Sequence, residues 1–249
     1  MLDPSLKSTL LSKKWFGFDL DDTLHKFRKA SSQASESVFE ALHTDHGINI
    51  DTLRSTYANV LRTSTANAFT DGRSSTEYRR ERFTRILQAH AAINVEKTNI
   101  DSLLGIYKSS LQSSLTLKPG VVELFRSLRQ LGKNIIVVTE GPADAQEWTV
   151  RELGIDSYVG ILVTTNEIGK SKVDGLFGVV LERYGIDAEE IVYFGDNEVR
   201  DVRAALQSGI LAILYDEKRL EHSVEDSTLD VVRVSSWRDL QDILLLNDG

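Results

Sequence analysis

Short apolar runs in this chain end in residues suited to chemistry. Trp15-Phe16-Gly17-Phe18 runs directly into Asp19-Leu20-Asp21-Asp22-Thr23, and Ile191-Val192-Tyr193-Phe194 runs into Gly195-Asp196, with Asp201 shortly after. A further run, Asn134-Ile135-Ile136-Val137-Val138, closes on Thr139. If these runs are adjacent parallel strands, their polar ends converge at one sheet edge, where open α/β sheets bind ligands. Carboxylates brought that close repel one another unless a cation neutralises them. The chain has no cysteine and the cluster is built of hard oxygen donors. Such a set favours Mg²⁺, which keeps some waters and takes further oxygens from a phosphate.

The elements that must position these groups can be read from the alternation of apolar runs and helical patterns, the sign of a parallel sheet with crossover helices. Further strands are expected at Gly160-Ile161-Leu162-Val163, Leu211-Ala212-Ile213-Leu214 and Val231-Val232-Arg233-Val234. Helices are expected over 121–131, 143–153, 176–184 and 201–207. Gly132, Gly154, Gly185 and Gly209 stand at or just beyond their ends, where the left-handed conformation closes a helix. More than a hundred residues separate the first strand from the second, far too many for a simple crossover. That interval reads as amphipathic helices over 30–43, 51–61, 75–91 and 100–111. The expected fold is therefore α/β: a doubly wound, Rossmann-like parallel sheet with an inserted helical domain. Residues 1–24 and 116–249 form the core and residues 25–115 the insertion.

Taken in order, these motifs resemble the haloacid dehalogenase superfamily. Phe18-Asp19-Leu20-Asp21-Asp22-Thr23 is similar to its Asp-x-Asp-x-Thr signature, Thr139 to its second motif, and Gly195-Asp196 with Asp201 to its fourth. Its third motif is a lysine ahead of a helix. Both Lys170 and Lys172 lie in the right stretch, and Lys172-Val173-Asp174-Gly175 fits better. The resemblance implies a helical cap over the core and a phosphatase mechanism. Asp19 would attack phosphorus and form an aspartyl phosphate. Asp21 would protonate the leaving alcohol and then deprotonate water. Mg²⁺ would be held by Asp19, the Asp21 carbonyl and Asp196, with Asp201 holding the outer shell or the lysine. Thr139 would bond a phosphoryl oxygen. Two departures stand out: Glu140 follows Thr139 where the family often has Asn, and the prolines usual beside the lysine are missing.

Composition narrows the partners. A net charge of −8 argues against nucleic acid, which needs basic patches. No apolar stretch approaches the roughly 20 residues that span a bilayer, and the N-terminus lacks the apolar run of a signal peptide. A soluble, cytoplasmic enzyme is expected, while the oligomeric state stays open. Gly169-Lys170-Ser171 is not a P-loop, because position 164 is Thr rather than Gly. The run Glu77-Tyr78-Arg79-Arg80-Glu81-Arg82 with Arg85 reads as a solvated helix face; the alternative is an arginine reaching a second anionic group of a substrate. His25 reads as a polar residue where insertion meets core, and Trp148 as helix packing. The expected substrate is a small phosphomonoester: a nucleotide, a sugar phosphate or a phosphoglycolate-like acid. A 2-haloacid dehalogenase, a phosphomutase or a non-catalytic binding module would share the fold.

Overall fold

The computed structural model describes residues 4–64, 69–90, 98–217 and 231–245. Six strands form one sheet: β1 (Trp15–Phe18), β2 (Asn134–Thr139), β3 (Ile161–Thr164), β4 (Ile191–Gly195), β5 (Leu211–Tyr215) and β6 (Arg233–Val234). The order is β3-β2-β1-β4-β5-β6, and all neighbours pair in parallel. Every strand anticipated from the sequence is present. Phe18 lies level with Val137 on one side and Phe194 on the other. The chain winds outward from β1 through β2 to β3, then returns to start again at β4. The crevice between β1 and β4 is thus the topological switch point, where such sheets bind ligands.

The strands read as nearly continuous apolar runs because both faces are covered. Successive side chains point to opposite faces, so Phe16, Phe18, Ile135, Val137, Val192, Phe194, Ile213 and Tyr215 build one core. Ile136, Val138, Ile191, Tyr193, Ala212 and Leu214 build the other. The first core is covered by α1 (Pro4–Ser12), α6 (Val121–Gln130) and the C-terminal α11 (Trp237–Leu245). The second is covered chiefly by α9 (Leu176–Tyr184). The sequence reading placed no helix at α1 or α11. In α11 the pattern is short: Trp237, Leu240 and Leu244 are its buried residues, and the Ser236 hydroxyl accepts from the Arg238 N–H at 3.1 Å to start the helix.

Between β1 and β2 lie α2 (Phe27–His46), α3 (Ile50–Ser64), α4 (Ser75–Gln88) and α5 (Ile100–Ser114). Their apolar faces form a third core of their own, including Phe39, Leu42, Leu53, Phe83, Ile86 and Tyr107. Of the expected helix over 75–91, the structure shows Ser75–Gln88; residues 91–97 lie outside the described residues. The start of α4 is fixed by a capping box, Ser74 with Glu77. The chain enters and leaves this helical unit side by side: Lys26 N–H donates to Thr116 O at 3.0 Å, and Lys118 N–H to Leu24 O at 2.9 Å. The first helix after β2, α7 (Ala143–Glu152), reaches toward the unit, and its Trp148 packs against the third core. Short helices α8 (Thr165–Ile168) and α10 (Ala204–Gln207) complete the fold.

Candidate active site

Asp19 is the first residue beyond β1, and its N–H still donates to Phe194 O at 2.8 Å, so the sheet holds its backbone in place. Only 6% of its surface is exposed. Thr23 Oγ1 donates to Asp19 Oδ2 at 3.0 Å and accepts from the Asp196 N–H at 3.0 Å, tying the loops after β1 and β4 together. That loop turns sharply at Asp22, which takes a left-handed φ of 62°, a conformation that Asp tolerates better than most residues. The Asp22 carboxylate accepts from the Arg28 N–H at 3.1 Å in the first turn of α2. Trp237 Nε1–H reaches across from α11 to Thr23 O at 3.2 Å.

The loop after β4 brings in the other carboxylates. Gly195 must be glycine here: a Cβ would lie 2.3 Å from Cγ of Asp201. Asp201 stands within a π-helical turn, Glu198–Arg203, which runs into α10. The wider turn replaces the regular helix start expected from the sequence, and Asn197 caps it by accepting from the Val199 and Arg200 N–H groups. Asp201 is buried, and its Oδ2 accepts from the Asn197 N–H at 2.9 Å. Into this gap comes Lys172, from a single 3₁₀ turn, Lys172–Asp174. It is 3% exposed. Its Nζ donates to Asp19 Oδ1 at 2.5 Å and to Asp201 Oδ1 at 2.6 Å. Lys170, by contrast, is exposed. The turn forms without prolines because Ser171 Oγ donates to the Asp174 carboxylate and Gly175 closes it at φ 92°.

Burial pushes the Asp19 carboxyl up, to about 8, and Lys172 only partly opposes this. Burial and then the charge of Asp201 raise Asp196 as well. For Lys172, burial would favour the neutral amine, but Asp19 and Asp201 outweigh it and hold the ammonium well above its usual range. Asp19, Asp196 and Asp201 each bring a carboxylate oxygen within 4.8 Å of the others. Lys172 bridges two of them with a single positive charge, while Arg28, largely exposed, reaches Asp196 Oδ2 at 3.3 Å. The excess of buried negative charge and the all-oxygen donor set fit a hard divalent cation.

The Asp21 carboxylate stands apart from that trio. His25, fully buried, lies with Nε2 2.8 Å from Asp21 Oδ1. His25 Nδ1 is buried without a partner among the described residues, which assigns it as the bare nitrogen and Nε2–H as the donor, since an orphaned N–H would cost more. His25 is therefore a buried partner of Asp21. Thr139 is also fully buried, and its Oγ1 has no hydrogen-bond partner among the described residues. Glu140 accepts from the Lys172 N–H at 3.3 Å and pairs with Arg200 at 3.0 Å. That ion pair neutralises the acid that replaces the customary Asn.

Two cavities meet here. One, of about 680 Å³, is lined by Asp19, Asp21, Thr139, Lys172, Asp196 and Asp201 among others. The second, of about 500 Å³, runs under α2, α3 and α4. Asp21, Phe27, Arg28, Phe69 and Glu140 line both. Arg79 and Arg82 line the second, so the face of α4 that reads as solvated is divided. Arg80 and Arg85 pair outward with Asp101 and Glu81, whereas Arg79 and Arg82 face the cavity.

Residues 13–209 match the haloacid dehalogenase-like hydrolase family. The chain is 24% identical to a ribulose-1,5-bisphosphate 5-phosphatase of Halopiger xanaduensis, over 84% of its own length and 87% of the relative. It is 25% identical to a glyceraldehyde 3-phosphate phosphatase of Methanocaldococcus jannaschii, over 91% and 95%. Among solved structures, the magnesium-bound HAD-hydrolase YfnB of Bacillus subtilis superposes with a TM-score of 0.69 at 19% identity, over 94% of this chain and 99% of that one.

Proposed function

This chain belongs to the haloacid dehalogenase-like hydrolase family, and from that premise we propose that it is a Mg²⁺-dependent phosphatase acting on a small phosphomonoester. The observation that carries the reading is the single cavity that Asp19, Asp21, Thr139, Lys172 and Asp196 line together. Phosphoryl transfer asks for positioning and charge stabilisation, and each of these residues has a place in it.

Asp19 attacks phosphorus in line and expels the alcohol, forming an aspartyl phosphate. Protonated Asp21 gives its proton to the departing alkoxide. As a carboxylate it then takes a proton from water, which attacks the acyl phosphate and returns Asp19 with release of inorganic phosphate. His25 fixes one Asp21 oxygen and leaves the other for this work. Thr139 Oγ1, unpaired in the free protein, donates to a phosphoryl oxygen. Lys172 holds Asp19 in place and faces the same negative charge. Asp19, the Asp21 carbonyl and Asp196, with Asp201 behind them, would hold Mg²⁺, which when bound would supply positive charge to screen the phosphate from its nucleophile. Residues 25–115 act as the cap, with 1–24 and 116–249 as the catalytic core. The cap roofs the leaving group and excludes bulk water. A 2-haloacid dehalogenase needs no proton for an alcohol and no metal, so Asp21 and Asp196 would be idle in it.

The test is phosphate release from p-nitrophenyl phosphate with Mg²⁺ and with EDTA, beside Asp19→Asn. Mg²⁺-dependent release that disappears in the variant is the expected result. A variant that hydrolyses like the wild type would remove Asp19 as nucleophile.

A further inference from the structure

The second cavity holds more positive charge than the protein itself uses. Its carboxylates are already engaged: Glu36 with Arg54, Glu140 with Arg200 and Asp21 with His25. Arg28, also on its wall, pairs with Asp22 and Asp196. Arg79 and Arg82 make no ion pair among the described residues. Arg79 donates to Ser75 Oγ at 3.0 Å, a hydroxyl itself bonded to Asp144, and its guanidinium lies 5.0 Å from the Tyr107 ring centre. Arg82 makes no hydrogen bond among the described residues. Its Nε is buried and unpartnered, and the guanidinium lies 5.9 Å from the Phe69 ring centre. Both arginines lie near the partly buried Tyr57, and their charge opposes the rise that burial imposes on its hydroxyl.

A guanidinium with a buried, unsatisfied N–H carries a desolvation cost that natural proteins offset with a partner. Arg82 carries such an N–H, and Arg79, one turn earlier on the same helix, adds a second guanidinium without an ion pair among the described residues; together they form a fork-shaped donor surface suited to a carboxylate or a phosphate. Stacking on Tyr107 and Phe69 holds that surface in place without neutralising it. Phe69 lines both cavities, as Asp21 does, so the arginines look onto the space an ester's leaving group would occupy.

Resting on the phosphatase reading above, we propose that Arg79 and Arg82 bind a second anionic group, so that the preferred substrate is a small phosphate ester with a carboxylate or second phosphate at its far end. The serines lining the cavity, Ser31, Ser32 and Ser35, suit a hydroxylated carbon chain between the two charges. An ester with a neutral tail would leave both guanidiniums unpaired in a closed site, and such an omission is heavily penalised.

The test uses matched pairs that differ only at the tail: 3-phosphoglycerate against glycerol 3-phosphate, and fructose 1,6-bisphosphate against fructose 6-phosphate. Calorimetric Kd values with Asp19→Asn protein and Mg²⁺ read the preference without turnover; kcat/KM with the wild type reads it again. In at least one pair the doubly anionic member should bind about tenfold tighter or more. The pair that shows it tells carboxylate from phosphate. Arg79→Gln with Arg82→Gln should bring the ratio close to one, and Arg82→Lys in place of Gln should restore part of it, provided circular dichroism shows the helices intact. Equal affinities within both pairs, or a preference that survives the double variant, would overturn the subsite. Preserved binding preference with no hydrolysis by the wild type would support the subsite and refute the phosphatase reading alone.

Discussion

At the scale of the single residue, the site concentrates groups whose cost to the free protein is their use in reaction. Thr139 Oγ1 is buried and unpaired, so Thr139→Val, nearly the same shape, should stabilise the protein by about 1–2 kcal/mol. Phosphate release should fall at the same time. Urea denaturation beside steady-state kinetics would show the opposed signs, and a destabilised variant would place a partner on that hydroxyl. Lys172 behaves in the contrary way. Removing its ammonium strands Asp19 and Asp201 as buried, uncompensated carboxylates, so Lys172→Met should cost about 3–5 kcal/mol and abolish turnover. Lys170→Met, at an exposed position, should change stability by less than about 0.5 kcal/mol. Asp19, Thr139 and Asp196 could be read as candidates because each closes or directly follows an apolar strand, and Asp21 and Asp201 because of their spacing from Asp19 and Asp196. The sequence favoured Lys172 over Lys170 without showing that the 3₁₀ turn carries it inward to Asp19 and Asp201. His25 was legible only as a polar residue where insertion meets core: a histidine just beyond a motif carries no sign of being wholly buried against Asp21.

Among the elements, α11 shows how distant packing holds the catalytic loop. Trp237 is fully buried, lies edge-on to Phe18 and Phe194, stacks on Tyr215, and donates to Thr23 O. Trp237→Ala should cost about 3–5 kcal/mol. Trp237→Phe, which keeps the ring but drops the N–H, should lower kcat more than its smaller stability loss would suggest. Equal fractional activity at matched folded population would confine Trp237 to packing. The strands were legible because burial on both faces makes them continuous apolar runs, and the glycines at helix ends marked most breaks. Helix α11 was not, since its signal is a few apolar residues after a chain segment without a clear pattern. The π-helical turn was invisible for a different reason. Its extra width answers the close approach of Asp201 to Gly195, a tertiary contact with no local signature. Gly195→Ala should accordingly displace Asp201 and cost about 1–3 kcal/mol, with loss of Mg²⁺-dependent activity. A crystal structure with Asp201 still on Lys172 would contradict this.

For the molecule as a whole, the acidic site predicts a thermal signature. Mg²⁺ that binds the folded chain alone should raise its stability by about 2.7 kcal/mol at a hundredfold excess over Kd. EDTA should reverse the gain, Asp196→Asn should abolish it, and differential scanning calorimetry reads all three. A melting temperature indifferent to Mg²⁺ would mean that Lys172 and Arg28 already balance the carboxylates. The helices between β1 and β2 were legible from their apolar periodicity, but nothing in the sequence disclosed that α4 divides its arginines between solvent and cavity. The sheet order has one more consequence, which concerns how the chain is made. Strand β1 is central in the sheet yet first in the chain; its neighbour β2 begins at Asn134 and β4 ends at Gly195. At about 5–20 residues per second of synthesis, four sheet-core residues, Trp15–Phe18, wait many seconds for both partners, while α2 to α5 can assemble from contacts among themselves. A newly begun chain therefore carries a finished helical unit beside an uncovered strand. That interval, more than any property of the finished enzyme, is when it most needs shielding from other chains.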